Sequence, residues 1–360
     1  MSIRAAAQQI NVDRASADMQ ASAKQGAVQR LSALDFTKGA LVLIMVLYHW
    51  INYFIGPQWP YYFYLRFLTP SFIFITGFMI SHVYLSKYDV ADPRLPKRLL
   101  TRGFKLMVIF LALNAVRMLI VPALGTGVVA ANLLDTRNFI TVFVSGNLQV
   151  VGGKLVSFSI LVPISYLLMF SGVLMLPYRF YRYTFHAVCA LLLLSVPLLG
   201  LGGIQSPNLE FVTIGLIGVL AGFLPIAKID GWVRHPYMLV FAYLCYTIAI
   251  TAWNVPFPLL IVGVFLSLMA IYLVSVSGSE SGKIRSEVIL LGKYSLFGYI
   301  AQIAILQILS VAFRHADLGV AGLGISFFAA FALTLLSVEA VDRARARVAA
   351  FDRLYKAVFA

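Results

Sequence analysis

The chain has 360 residues, of which 61% are hydrophobic and only 12% charged, whereas soluble domains carry about 45–50% apolar and about 25% charged residues. This excludes a soluble multidomain protein, because the apolar residues fall in blocks near the roughly 20 that cross a bilayer. The formal net charge of +14 then marks loops held on the cytoplasmic side of a membrane, not a nucleic-acid surface. Cys189 and Cys245, the two cysteines, both lie in apolar blocks, so a disulfide scaffold is excluded, and no metal-binding motif is present. The fold class expected is an all-α, polytopic integral membrane protein.

Residues 1–30 are polar, rich in Ala and Gln, and lack an apolar run, so they read as a disordered cytoplasmic tail and not as a signal peptide. Ten apolar segments follow, at about 36–56, 61–85, 104–123, 155–177, 185–203, 210–227, 236–253, 257–276, 288–310 and 319–341. A membrane domain over 31–341 and a basic cytoplasmic tail over 342–360 complete the organisation. With both termini inside, the two tails together with the connectors 86–103, 178–184, 228–235 and 277–287 hold most of the Lys and Arg, leaving Arg137, Lys154 and Arg314 outside. The stretch 124–154 is too polar and Gly-interrupted for a span and reads as an interfacial or re-entrant segment on the outer side. No internal repeat is evident, which disfavours an inverted-repeat transporter.

Ionisable groups inside apolar helices are the informative residues, because hydrocarbon penalises them. In the first helix Asp35 lies one turn before Lys38, and His49 follows Lys38 by eleven residues on the same face, about 16 Å further along the axis. Lys38 reads either as a snorkelling end anchor or as part of an interior ion pair, and His49 either as a packing histidine or as a reactive imidazole. The second helix carries Arg66, beside an aromatic belt of Tyr61, Tyr62 and Tyr64, and His82 near its inner end; both read foremost as structural. Lys97, Arg98, Arg102 and Lys105 form a basic cluster that can hold phosphates or face anionic lipid. In the ninth helix Lys293, Ser295, Tyr299 and Gln302 are expected to face the bundle interior. No P-loop, HExxH or nucleophile-elbow pattern occurs.

Together these segments resemble the transmembrane acyltransferase superfamily, which groups acyltransferase family 3 proteins, glucan succinyltransferases and heparan-alpha-glucosaminide N-acetyltransferases with their bacterial relatives. The resemblance lies in RLSALDFTKGALVLIMVLYHW, through Leu34, Asp35, Lys38, Gly39 and His49. It continues in TPSFIFITG (Thr69 to Gly77), KRLLTRGFKL (Lys97 to Leu106) and LGKYSLFGYI (Leu291 to Ile300). Two positions depart from the pattern: Lys38 stands where an Arg is usual, and Gln302 where the late helix often has a His.

The resemblance implies a transferase of a bacterial inner membrane that moves an acyl group, foremost acetyl, from cytosolic acyl-CoA to a hydroxyl or amine of an envelope glycan. It implies Arg98, Arg102 and Lys105 as the CoA-phosphate site, His49 as base or acyl carrier, and Asp35 as the partner that orients Lys38. Tyr299, Gln302, Ser295, His82 and Arg66 remain interior polar candidates, and no metal is implied. The residues alone also admit a transporter or flippase for a lipid-linked sugar or small metabolite, and they leave homo-oligomerisation open.

Overall fold

The computed structural model describes residues 32–56, 59–85, 88, 92–123, 140–146, 149–150, 153–154, 156–253, 256–278, 282–314 and 319–359. The tail expected over 1–30 and most of the interfacial stretch expected over 124–154 lie outside them. The first helix, α1, runs Ser32–Ile55 and widens to a π-helical last turn before Gly56, whose φ of 95° stops it. After α2 (Trp59–Leu65) comes α3 (Leu68–Met79), extended by a π-helical segment Ile80–Leu85.

Four elements then carry the chain to its middle. Helix α4 covers Arg94–Ala123, a two-residue ladder pairs β1 (Gln149–Val150) with β2 (Gly153–Lys154), and α5 (Leu161–Tyr178) follows. Helices α6 (Thr184–Leu201) and α7 (Pro207–Gly222) come next. Ser206 caps α7 by accepting from the Leu209 amide, with Pro207 opening the first turn. The remainder is α8 (Ile226–Val233), α9 (Pro236–Trp253), α10 (Phe257–Ser277), α11 (Lys283–Lys293), α12 (Ser295–Arg314), α13 (Gly319–Arg347) and α14 (Ala349–Phe359).

Among the described residues nine helices are long and apolar enough to cross a bilayer. Leu194, Phe241, Ile308 and Phe328 are each about two-thirds exposed or more, an arrangement that suits lipid and not water. The chain is an all-α polytopic membrane protein. Helix α7, at 16 residues and about 24 Å, falls short of the roughly 30 Å hydrocarbon core.

Three boundaries differ from the sequence reading. The expected loop 86–103 is helical from Arg94 onward, because Leu95 and Leu99 bury themselves completely and draw the basic segment into α4. The expected ninth segment breaks at Tyr294, whose hydroxyl donates to Asp342 (2.6 Å) and accepts from Arg345 (3.0 Å). The basic tail is helical: α13 continues to Arg347 and α14 folds back beside it. Asp352 accepts from Arg345 (2.7 Å) and Lys356 (2.6 Å), and these partners, Lys356 foremost, hold its carboxyl below the usual carboxylate range.

Small residues fix the helix contacts. A Cβ on Gly39 would land on the Val288 carbonyl oxygen, and one on Gly292 on that of Asp35, so α1 and α11 touch backbone to backbone. Gly77 meets the Gly215 carbonyl in the same way between α3 and α7. Ser165 of α5 donates to the Gly103 carbonyl of α4 (2.7 Å), and Trp50 of α1 to Ser326 of α13 (3.0 Å).

Candidate functional site

A cavity of about 400 Å³ is enclosed by α1, α3, α4, α5, α12 and α14 at the basic end of the bundle. Helix α4 supplies Arg98, Arg102 and Lys105, spaced four and three residues apart, so they form one stripe about 10 Å long. Arg98 is exposed, Arg102 and Lys105 are half-buried and Leu106 is buried, so the stripe leads from the surface inward.

Aromatic rings brace both guanidinium groups. Arg98 donates to the Tyr88 hydroxyl and lies 5.7 Å from that ring's centre, while Arg102 lies 5.8 Å from the Tyr84 ring. Lys38 reaches the same cavity from α1 and pairs with Asp35 at 2.5 Å. Deeper, the wall is apolar, with Phe72, Ile75, Ile164 and Leu168, and α12 adds Ser295 and Tyr299.

Four cationic side chains line this cavity, and among the described residues no Asp or Glu does. Coulomb attraction across such a wall, partly shielded from water, selects an anion. The apolar depth selects a ligand that also carries a hydrocarbon or other nonpolar part. Of the residues singled out in the sequence, Lys38, Arg98, Arg102, Lys105, Ser295 and Tyr299 come together here.

His49 is not in the wall. Its half-buried ring packs edge-on to Tyr48 (5.1 Å between centres) and sits 6.4 Å from Tyr299, which does line the cavity. Tyr299 therefore bridges the cavity and the imidazole. One turn on, Gln302 is fully buried, and its amide makes no hydrogen bond with any described residue. Such burial costs about 1–3 kcal/mol per unpaired group.

The other candidates lie elsewhere. His82 stacks on Phe78 (5.1 Å, 25° between planes), and Arg66 is exposed over Phe63 (5.9 Å). Neither lines the cavity. Lys293, expected to face the interior, is exposed: it closes α11 just before the break at Tyr294, so its side chain turns outward. Lys97 is exposed too and takes no part in the cavity.

Sequence reasoning missed Tyr84 and Tyr88, although their four-residue spacing matches that of the arginines they brace. It also missed a polar network away from the cavity. There Gln307 donates to Tyr53 (3.2 Å) and Ser157 (3.3 Å), and Asn114 exchanges two hydrogen bonds with the Ser157 backbone (both 3.0 Å). No protein-family model, curated protein or solved structure matches the chain.

The ion pair in α1 gives a direct test. Both partners are roughly four-fifths buried, so Lys38→Met should destabilise by about 1–3 kcal/mol by leaving the Asp35 carboxylate unpaired. Adding Asp35→Asn should restore most of the loss, and Lys38→Arg should be tolerated. Thermal unfolding in detergent measures all three. An unchanged Lys38→Met midpoint would make Lys38 a surface anchor.

Proposed function

We propose that this protein is a membrane-embedded acyltransferase that takes an acyl group, foremost acetyl, from acyl-CoA and gives it to a hydroxyl or amine of an envelope glycan. The observation that carries the reading is the cavity wall of four cations, Lys38 among them already paired with Asp35, backed by an apolar depth. An acyl-CoA has that polarity: phosphates at one end and a thioester on a less polar arm at the other. The ordered resemblance to the transmembrane acyltransferase superfamily supports the same assignment. The positive-inside distribution supports a cytoplasmic basic end, and in a bacterial inner membrane that is the side on which CoA thioesters are found.

In this mechanism Arg98, Arg102 and Lys105 pair with the phosphates, the guanidinium groups by forked hydrogen bonds. The thioester lies towards Tyr299, and the acceptor approaches from the opposite face. As the acceptor oxygen or nitrogen bonds to the thioester carbonyl carbon, His49 takes the acceptor's proton. The carbon–sulfur bond then breaks and the CoA thiolate leaves. The proton passes on to the thiolate, which returns His49 to its neutral form. The products are the ester or amide and free CoA thiol.

Charge pairing at the mouth makes the donor step salt-dependent, since the Debye length falls from about 30 Å at 0.01 M to about 10 Å at 0.1 M. Arg98→Ala/Arg102→Ala is expected to weaken acetyl-CoA binding about tenfold or more, with a shallower salt dependence and unchanged acceptor affinity. Filter binding of labelled acetyl-CoA at several salt concentrations tests this. Unchanged affinity would assign the arginines to lipid anchoring. Absence of binding in the wild-type protein would overturn the transferase reading in favour of a transporter.

A further inference from the structure

Helix α14 supplies part of the cavity wall. Val358 and Phe359 face Lys38, Arg98 and Arg102 across it, although their helix lies far from those residues in sequence. What holds α14 down is slight. None of its residues is fully buried. What ties it to the rest of the chain is the ion pair of Asp352 with Arg345, the Tyr355 ring against the Arg345 guanidinium (4.3 Å) and the Tyr294 ring (5.5 Å), and Phe359 against Phe297 (6.0 Å). Partly exposed ion pairs and edge contacts of this kind are individually weak, and elements held by them open first.

The rest of the wall differs in kind. Helices α4 and α5 are joined through Gly103, and α3 and α7 through Gly77 and Gly215, with backbone against backbone. At about 400 Å³ the cavity also sits near the lower end of the roughly 300–1,000 Å³ that holds drug-sized ligands. An acyl-CoA is larger than that class, so part of it must pass the mouth where α14 lies.

We propose that α14 is a movable strap over the basic cavity, lifting to admit the anionic donor and closing behind it. The strap takes its purpose from the acyl-CoA reading of the cavity, but its movement is testable without that ligand. Beside the Phe359 contact with Phe297, its fastenings are Asp352 and Tyr355. Both engage Arg345, whose guanidinium also donates to Tyr294, the residue directly preceding Ser295 in the wall. Lifting the strap is thereby linked to the start of α12.

The test places a thiol in the wall by Thr76→Cys in a Cys245→Ser background, and follows its reaction with an anionic methanethiosulfonate on the otherwise full-length protein. With Asp352→Asn/Tyr355→Ala added, modification should accelerate about tenfold, as expected when two weak fastenings are lost. Cys189, which is buried in α6, should stay unreactive. Equal rates with and without the strap substitutions would overturn the proposal. Simultaneous exposure of Cys189 would do so too, because it would mean general loosening.

A second variant, Phe297→Cys/Phe359→Cys, pins the strap by oxidation and serves if the first does not fold. Release of labelled acetyl-CoA should slow at least about tenfold when the pair is oxidised and recover on reduction. Unchanged release would overturn the strap. If acetyl-CoA binds neither form, the donor reading fails, and a Thr76→Cys rate in the pinned protein no slower than in the reduced one would overturn the strap separately.

Discussion

His49→Ala is expected to lower acyl transfer about 10²–10⁴-fold, the usual contribution of a positioned general base, while the protein remains folded. The imidazole is only half-buried, and the contacts its ring makes with Tyr48 and Tyr299 are an edge-on and a tilted one, neither of them close face-to-face packing. Turnover of labelled acetyl-CoA with a membrane-glycan extract, read beside the thermal midpoint, separates the two roles. Activity above about a tenth of wild type would take His49 out of the mechanism. Loss of folded protein would make it a packing residue. His49→Gln, which keeps volume and hydrogen bonding but cannot act as a base near neutral pH, should behave like the alanine variant in turnover.

The largest effect on stability is expected at Gly39. An added methyl there meets the Val288 backbone, which has no rotamer to move into, so α1 and α11 must separate. Overpacking typically costs about 1–3 kcal/mol even when side chains can yield, and Gly39→Ala should exceed that range. The separation would also carry Lys38 and Asp35 away from the cavity, so activity should fall with stability. Gly324→Ala is the matched control: nothing lies near its position in α13, and the exchange should be neutral or stabilising by up to about 1 kcal/mol through helix propensity. Yield of monodisperse protein in detergent and thermal midpoints measure both. A Gly39→Ala protein as stable as the Gly324→Ala control would disprove the backbone contact.

Much of this was legible before any coordinates. Runs of apolar residues dictate spans because a bilayer leaves the backbone no alternative to helices or closed barrels. In such a chain charges are sparse, so Lys38 and the stripe Arg98, Arg102 and Lys105 stood out by type and spacing alone. What did not show was set by contacts between distant residues. Leu-Gly-Lys-Tyr-Ser contains no proline, yet the helix breaks there where Tyr294 is engaged by Asp342 and Arg345. Residues 342–360 read as a basic tail because Lys and Arg outnumber the acids, and nothing local revealed that Asp352 would fasten Arg345 seven positions earlier. The position of His49 behind Tyr299 likewise depends on how α1 and α12 cross, which helical periodicity on one segment cannot specify.

The long-range partners of α1 and α3 bear on how the protein is made. Ser81 donates to the Val219 carbonyl across 138 residues, and Trp50 to Ser326 across 276. At synthesis rates of about 5–20 residues per second, α3 therefore waits roughly seven to thirty seconds for α7, and α1 up to about a minute for α13. During that interval the bare glycine faces of α1 and α3 and the ion pair of Asp35 with Lys38 lie against lipid or the insertion machinery. Until then the early helices have only their hydrophobicity and near neighbours, such as Tyr48 against Tyr62, to hold them, and the candidate site is complete only once α14 follows the last span. A ribosome that stalls before α13 leaves behind inserted helices with their pairing surfaces open, which makes the nascent chain a natural substrate for membrane quality control.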